Sequence, residues 1–226
     1  MKFTFVTLFP NIIKGYFSDS ILQKAQEKDL LELEFYNPRD YTKNKHNKVD
    51  DTLCGGGAGQ LMFPQPLFDT LDTIKQKNPD AYIVFPLAAA KPFNQNDAKR
   101  LAKKKNVVFV SGRYEGIDER VIETYANEVF SIGDYILTGG ELPSMVMSDA
   151  IARNVDEVLG NNDSLDDESY NNISVKREEL LEAPSFTKPI NFKGLKVPSE
   201  LLKGNHSKIR DLKSKLSWYK TKYYRP

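Results

Sequence analysis

The 226-residue chain is 40% hydrophobic and 28% charged with a net charge of +1, a globular composition that excludes disordered, collagenous and disulfide-stapled classes. Its one cysteine, Cys54, rules out an internal disulfide and a cysteine zinc cluster. No apolar run approaches the roughly 18 residues of a membrane helix, so a cytoplasmic chain of one large domain, or one domain and a small module, is expected.

MKFTFVTLFP at the N-terminus alternates like a buried strand and is too soon interrupted for a signal peptide. Residues 2–8 and 31–36 read as strands, with a helical pattern over 11–25 between them. Residues 37–60 are polar and glycine-rich, a loop long enough to suggest function. Helices are expected at 66–77, 94–104, 118–125 and 142–153, and strands at 81–85 (AYIVF), 107–110 (VVFV) and 128–130. Strands alternating with helices, two of them apolar throughout, predict an α/β fold with a mostly parallel sheet. Residues 156–182 are acidic and polar, with DSLDDESYNN at their centre, the composition of an interdomain linker. Helical patterns at 198–202 and 207–218 then predict a small all-α C-terminal domain.

Charge is distributed unevenly. Residues 187–226 hold eleven Lys/Arg against two acids, Glu200 and Asp211, a net +9, while residues 1–186 hold 21 against 29, a net −8. The basic stretch interleaves its cations with Trp218, Tyr219, Tyr223 and Tyr224. That mixture suits RNA backbone and bases better than simple solubility.

Glycine-bearing stretches carry the candidate chemistry. SIGDYILTGGELP (131–143) lies between an apolar strand and a helix, with Pro143 near the first helical turn. It is either a tight strand-to-helix turn or a loop that brings backbone close to a ligand. SGRYEGIDER (111–120) leaves the C-terminal end of the 107–110 strand, where open α/β sheets bind their ligands. Gly55-Gly56-Gly57-Ala58-Gly59-Gln60 lacks the Gly-Lys-Ser/Thr of a phosphate loop and follows no strand, so a nucleotide-phosphate cradle is not expected. Arg153 precedes a loop holding Asp166, Asp167 and Glu168. An arginine and a carboxylate can stabilise an oxyanion and remove a proton, yet both types are also common on surfaces. His46 and His206 have no metal-ligand spacing, and no metal is expected to be held by a protein cluster.

Taken together, NPRDYT (37–42), GGGAG (55–59), GRYEGIDERV (112–121), SIGDYILTGGELP (131–143), VLGNNDS (158–164) and KGNH (203–206) resemble the bacterial tRNA (guanine-N1)-methyltransferases of the SPOUT class. The resemblance runs from the first strand to the last residues. It implies a deep trefoil knot, a fold feature close to absent elsewhere, and an obligate homodimer with its active sites at the interface. It also implies methyl transfer from S-adenosylmethionine to N1 of the guanosine immediately 3′ of the anticodon of tRNA, with neither DNA nor membrane as partner. The implied domains are 1–160 for the knotted catalytic domain, 161–176 for a linker bearing the catalytic carboxylate, and 177–226 for a basic helical tRNA-binding domain.

By the same resemblance Pro86 and Leu87, Gly112, Tyr114 and Glu115, and Ser131, Ile132, Gly133, Asp134, Tyr135, Ile136, Leu137, Gly139, Gly140 and Pro143 hold the cofactor. Arg153 matches the arginine that steadies guanine O6, and Asp50 with Gly55, Gly56 and Gly57 matches a loop near the target base. His206, Arg210, Lys213 and Lys215 are the expected substrate contacts of the basic domain. Any Mg²⁺ is expected to act through RNA or the acidic loop. The family's base is an aspartate in a Ser-x-x-x-Asp-Ser-aromatic pattern. Here the pattern reads Ser164-Leu165-Asp166-Asp167-Glu168-Ser169-Tyr170, making Glu168 the expected base and Asp167 its substitute after a one-residue shift. Residues 86–95 (PLAAAKPFNQ) are longer than the family's Pro-Gln-Gly turn and lack its glycine.

Overall fold

The computed structural model describes residues 1–160, 169 and 180–225, and the chain divides into two compact units, Met1–Gly160 and Asn161–Pro226. The first is built on five parallel strands: β1 (Lys2–Val6), β2 (Glu32–Tyr36), β5 (Tyr82–Pro86), β6 (Asn106–Val110) and β7 (Glu128–Phe130). Their order is β2-β1-β6-β5-β7. The expected mostly parallel α/β sheet is therefore present.

Side-chain alternation along these strands feeds two apolar layers. Phe3, Phe5, Val107 and Phe109 pack under α1 (Pro10–Phe17), α2 (Ser20–Glu27), α4 (Gln95–Leu101) and α6 (Glu141–Ala152). Ile83, Phe85, Val108 and Val110 face the other way, under α3 (Pro64–Lys77) and α5 (Glu119–Tyr125). Covering both faces is what a parallel sheet needs, and it explains why VVFV reads as an uninterrupted apolar run.

Three expectations are corrected. The helical pattern over 11–25 is broken into α1 and α2 at Ser18-Asp19-Ser20. There Ser18 Oγ donates to the Gly15 carbonyl, Asp19 Oδ1 accepts from the Ser20 amide, and Ser20 takes φ +56°. Short polar side chains compete with the helix for its own backbone groups. The 37–60 stretch is not structureless. It carries a 3₁₀ turn (Pro38–Tyr41) and the first strand of the hairpin β3 (Asp50–Thr52) and β4 (Gln60–Met62). The second unit is not all-α either, because β8 (Asn191–Phe192) and β9 (Leu195–Lys196) form an antiparallel hairpin. After it come a 3₁₀ turn (Ser199–Leu202) in place of the helix expected at 198–202, and α7 (His206–Tyr224), which outruns the expected 207–218. Asn205 caps α7 by accepting from the Lys208 amide at 3.1 Å. Leu181 is fastened to its far end, its amide donating to Thr221 Oγ1 at 2.9 Å and its carbonyl accepting from Ser217 Oγ.

Candidate active site

Because β6, β5 and β7 are parallel neighbours, the loops after them leave the same edge of the sheet, the edge where open α/β folds bind ligands. Backbone hydrogen bonds join these loops. Leu87 N donates to Phe130 O at 2.9 Å, Phe93 N to Ser131 O at 2.8 Å, Ser131 N to Lys91 O at 2.9 Å and Gly140 N to Gly112 O at 2.8 Å. The 131–140 stretch is thus tied to both other loops, and Pro86, Leu87, Gly112, Tyr114, Glu115 and 131–140 are brought together. Ser131 and Gly140 are buried, while Tyr135 and Leu137 are exposed and Ile136 is 84% exposed. Pro143 lies in the first turn of α6 and is half-buried.

Gly140 makes the closest approach to backbone. A Cβ there would fall 2.7 Å from Gly112 N and from Ser111 Cα, both backbone atoms without a flexible end to yield. Gly140→Ala is expected to cost about 1–3 kcal/mol by overpacking. Gly160→Ala, where an added Cβ meets nothing within 4 Å, is expected to stay within about 0.5 kcal/mol. Urea unfolding of both variants checks this, and equal midpoints would show that the loop yields freely.

Sequence inspection missed the lock beneath this loop. Glu141, the first residue of α6, is 1% exposed. Its Oε1 accepts from Thr7 Oγ1 at 2.7 Å, and its Oε2 lies 2.8 Å from Arg113 Nε, a contact of opposed charges without aligned hydrogen-bond geometry. Arg113 also lies over the Phe9 ring, 4.5 Å from its centroid, and donates to the Thr138 carbonyl at 3.3 Å. One buried carboxylate thereby couples the ends of β1, β6 and the glycine stretch. Arg113→Met would leave that carboxylate unpaired, and a loss of about 3 kcal/mol is expected. A denaturation midpoint equal to wild type would refute the coupling. The signal was present in principle, since the Arg beside a Gly follows a strand end and the Glu directly after Gly-Gly opens a helix.

The β3–β4 hairpin docks on the same edge. Glu115 N donates to Gln60 O at 2.9 Å, Met62 N to Gly116 O at 3.0 Å and Asp118 N to Met62 O at 3.0 Å. Gly59 abuts Glu115, whose Cγ would sit 2.5 Å from an added Cβ. Gly55, Gly56 and Gly57 form the exposed tip and Asp50 is half-buried. Tyr114, exposed at φ +59°, receives a long contact of 3.5 Å from Arg39, whose other nitrogen donates to the Asn47 carbonyl at 3.0 Å. The hairpin that carries the GGGAG stretch is therefore joined to the 112–116 loop by backbone pairing from β4.

A tRNA (Guanine-1)-methyltransferase TrmD family model matches residues 1–226. The chain is similar to a tRNA (guanine-N(1)-)-methyltransferase of Sulfurimonas denitrificans, 65% identical over 226 residues that cover all of this chain and 95% of the relative. Likewise named proteins of a Sulfurovum species and of Campylobacter jejuni are 64% and 57% identical, covering all of this chain and 97% and 96% of theirs. The chain belongs to this methyltransferase family.

In this member of the tRNA (guanine-1)-methyltransferase family, one expected residue is not brought to the loop cluster. Arg153 caps the C-terminal end of α6, whereas Gly140 caps its start. Twelve helical residues at 1.5 Å each separate them by about 18 Å. Arg153 is exposed and shares a helical face with Leu142, Val146 and Asp149, which follow at steps of three and four. Tyr16 of α1 donates to Asp149, which pushes the Tyr16 phenol up to about 12. Exposed Phe9, Ile12 and Tyr16 extend the same apolar surface across α1. Glu168 and Asp167 lie outside the described residues. His206, Arg210, Lys213 and Lys215 are exposed along α7 in the second unit.

Proposed function

We propose that this chain transfers a methyl group from S-adenosylmethionine to N1 of the guanosine immediately 3′ of the anticodon (position 37) in tRNA, acting as a homodimer in the cytoplasm. The observation that carries the proposal is the full-length family match, on a chain whose three glycine-bearing loops meet at one sheet edge.

The residues at that edge suit the cofactor. Tyr114, Tyr135, Ile136 and Leu137 expose apolar faces for adenine, and exposed Glu115 and Asp134 offer negative charge to a cationic ligand. S-adenosylmethionine supplies a methyl carbon activated by a sulfonium. A trefoil knot belongs to the same proposal, supported by the bonding of 131–140 to both the 87–93 and 111–113 segments.

Guanine N1 carries a proton at neutral pH and is a poor nucleophile until a base removes it. Glu168 takes that proton. Arg153 donates to O6, where negative charge gathers as N1 is deprotonated. Holding N1 in line with the methyl carbon supplies much of the acceleration. Asp50 and the Gly55–Gly57 tip adjoin the target base.

Arg153, about 18 Å along α6 from the loop of its own chain, supports a site shared between subunits. The exposed stripe of Leu142, Val146 and Arg153, widened by Phe9 just before α1 and Ile12 within it, fits an isologous contact. Antiparallel packing of two α6 helices brings each Arg153 to the other chain's loops. The 161–176 segment serves as the linker and 177–226 as the tRNA-binding domain. There His206, Arg210, Lys213 and Lys215 meet the RNA, the cations on its phosphates, and any Mg²⁺ acts through RNA or the acidic loop. Methyl transfer into a tRNA transcript bearing guanosine 3′ of its anticodon, and none into one lacking it, is the expected result. Equal labelling of both transcripts would overturn the substrate assignment, and no labelling of either would overturn the activity.

A further inference from the structure

The β8–β9 hairpin is built more firmly than its size requires. Its turn residues Lys193 and Gly194 take φ +51° and +86°, the two positive values of a type I′ turn, whose twist matches the strands. Gly194 N donates to Asn191 Oδ1 at 3.1 Å, and below the strands Val197 N donates to Ile190 O at 3.0 Å. The cross-strand partners of this ladder are Phe192 and Leu195. They are 58% and 77% exposed, so a rigid scaffold presents two large apolar side chains side by side to the outside. Water is a poor neighbour for such a pair, and an apolar patch with a polar rim marks a contact surface.

The rim identifies the partner. Lys188, Lys193 and Lys196 lie in or just before the hairpin, and no acid occurs from residue 183 to 199. Lys193 Nζ lies 5.5 Å from the Phe192 ring centroid. Protein–protein interface cores are depleted in lysine. An aromatic face beside lysines is how proteins hold unpaired nucleotides, the ring stacking on a base and the cations meeting its phosphates. We infer that the hairpin is a base-stacking contact for the tRNA substrate, with Phe192 under an unpaired base and Lys193 on the adjoining phosphate. The inference rests on the tRNA methylation proposed above and adds to it a contact outside α7.

The test uses the full chain. Phe192→Ala is expected to raise the Kd and KM for unmodified tRNA transcript about tenfold. Its kcat at saturating tRNA, its S-adenosylmethionine affinity and its sedimentation are expected to stay as in wild type. Phe192→Trp should restore binding and Phe192→Leu should not, because stacking needs a π face and packing does not. Wild-type tRNA affinity in Phe192→Ala, or in Phe192→Leu, overturns the inference. So does a loss of tRNA affinity that tracks dissociation into monomers, which would seat a second copy of the chain on the hairpin. These outcomes are read only against a wild-type enzyme that labels the transcript, so an inactive wild type instead refutes the proposed function itself.

Discussion

Arg153→Ala is expected to lower kcat for methyl transfer by about 10²–10³-fold, the usual effect of deleting one donor to a developing oxyanion, while S-adenosylmethionine affinity stays at the wild-type level. Arg153→Lys should recover little, because an ammonium does not reproduce a planar guanidinium fork. The separation along α6 makes the prediction sharper. If Arg153 serves the loops of a second subunit, an inactive Arg153→Ala chain and an inactive Leu137→Asp chain complement each other. Leu137 is exposed, so its replacement is expected to spoil the cofactor loop without unfolding the protein. In a heterodimer, one site pairs an intact loop with an intact arginine and the other has neither. Random mixing of the two chains should therefore return about a quarter of wild-type activity. Activity no greater than the sum of the two separate variants would show that Arg153 acts within its own chain or not at all.

The second large effect concerns the base. Glu168→Gln keeps the size and hydrogen-bonding reach of the side chain but cannot accept the N1 proton. Its single-turnover rate is expected to fall by about 10²–10⁴-fold, the range of general base catalysis, with tRNA affinity little changed. Asp167→Asn is expected to remain near wild type. The reverse pattern, full turnover in Glu168→Gln and loss in Asp167→Asn, moves the assignment by one residue. Equal small effects in both would remove the acidic loop from the chemistry.

Local chemistry accounts for what could be read without coordinates. VVFV and AYIVF announce strands buried on both faces because parallel sheets are covered by helices. The 111–120 and 131–143 stretches could be assigned to strand ends because they directly follow the apolar segments 107–110 and 128–130. Where short polar residues intervene, periodicity misleads. The apolar spacing of 11–25 continues through Ser18-Asp19-Ser20, but those side chains bond the backbone and break the helix. The hairpins at 50–62 and 191–196 escaped notice because strands of two or three residues are too short to display a period.

The sequence by itself determined the fold class, the family and the place of two glycine-bearing stretches at strand ends, since each depends on residue types at close spacing. Only the tertiary structure decided that β5 lies between β6 and β7, that Glu141 is buried against Arg113 and Thr7, and that Arg153 stands a helix length from Gly140. Strand order and buried hydrogen bonding join residues up to 134 positions apart. Their energies depend on which surfaces meet, and no local pattern encodes that.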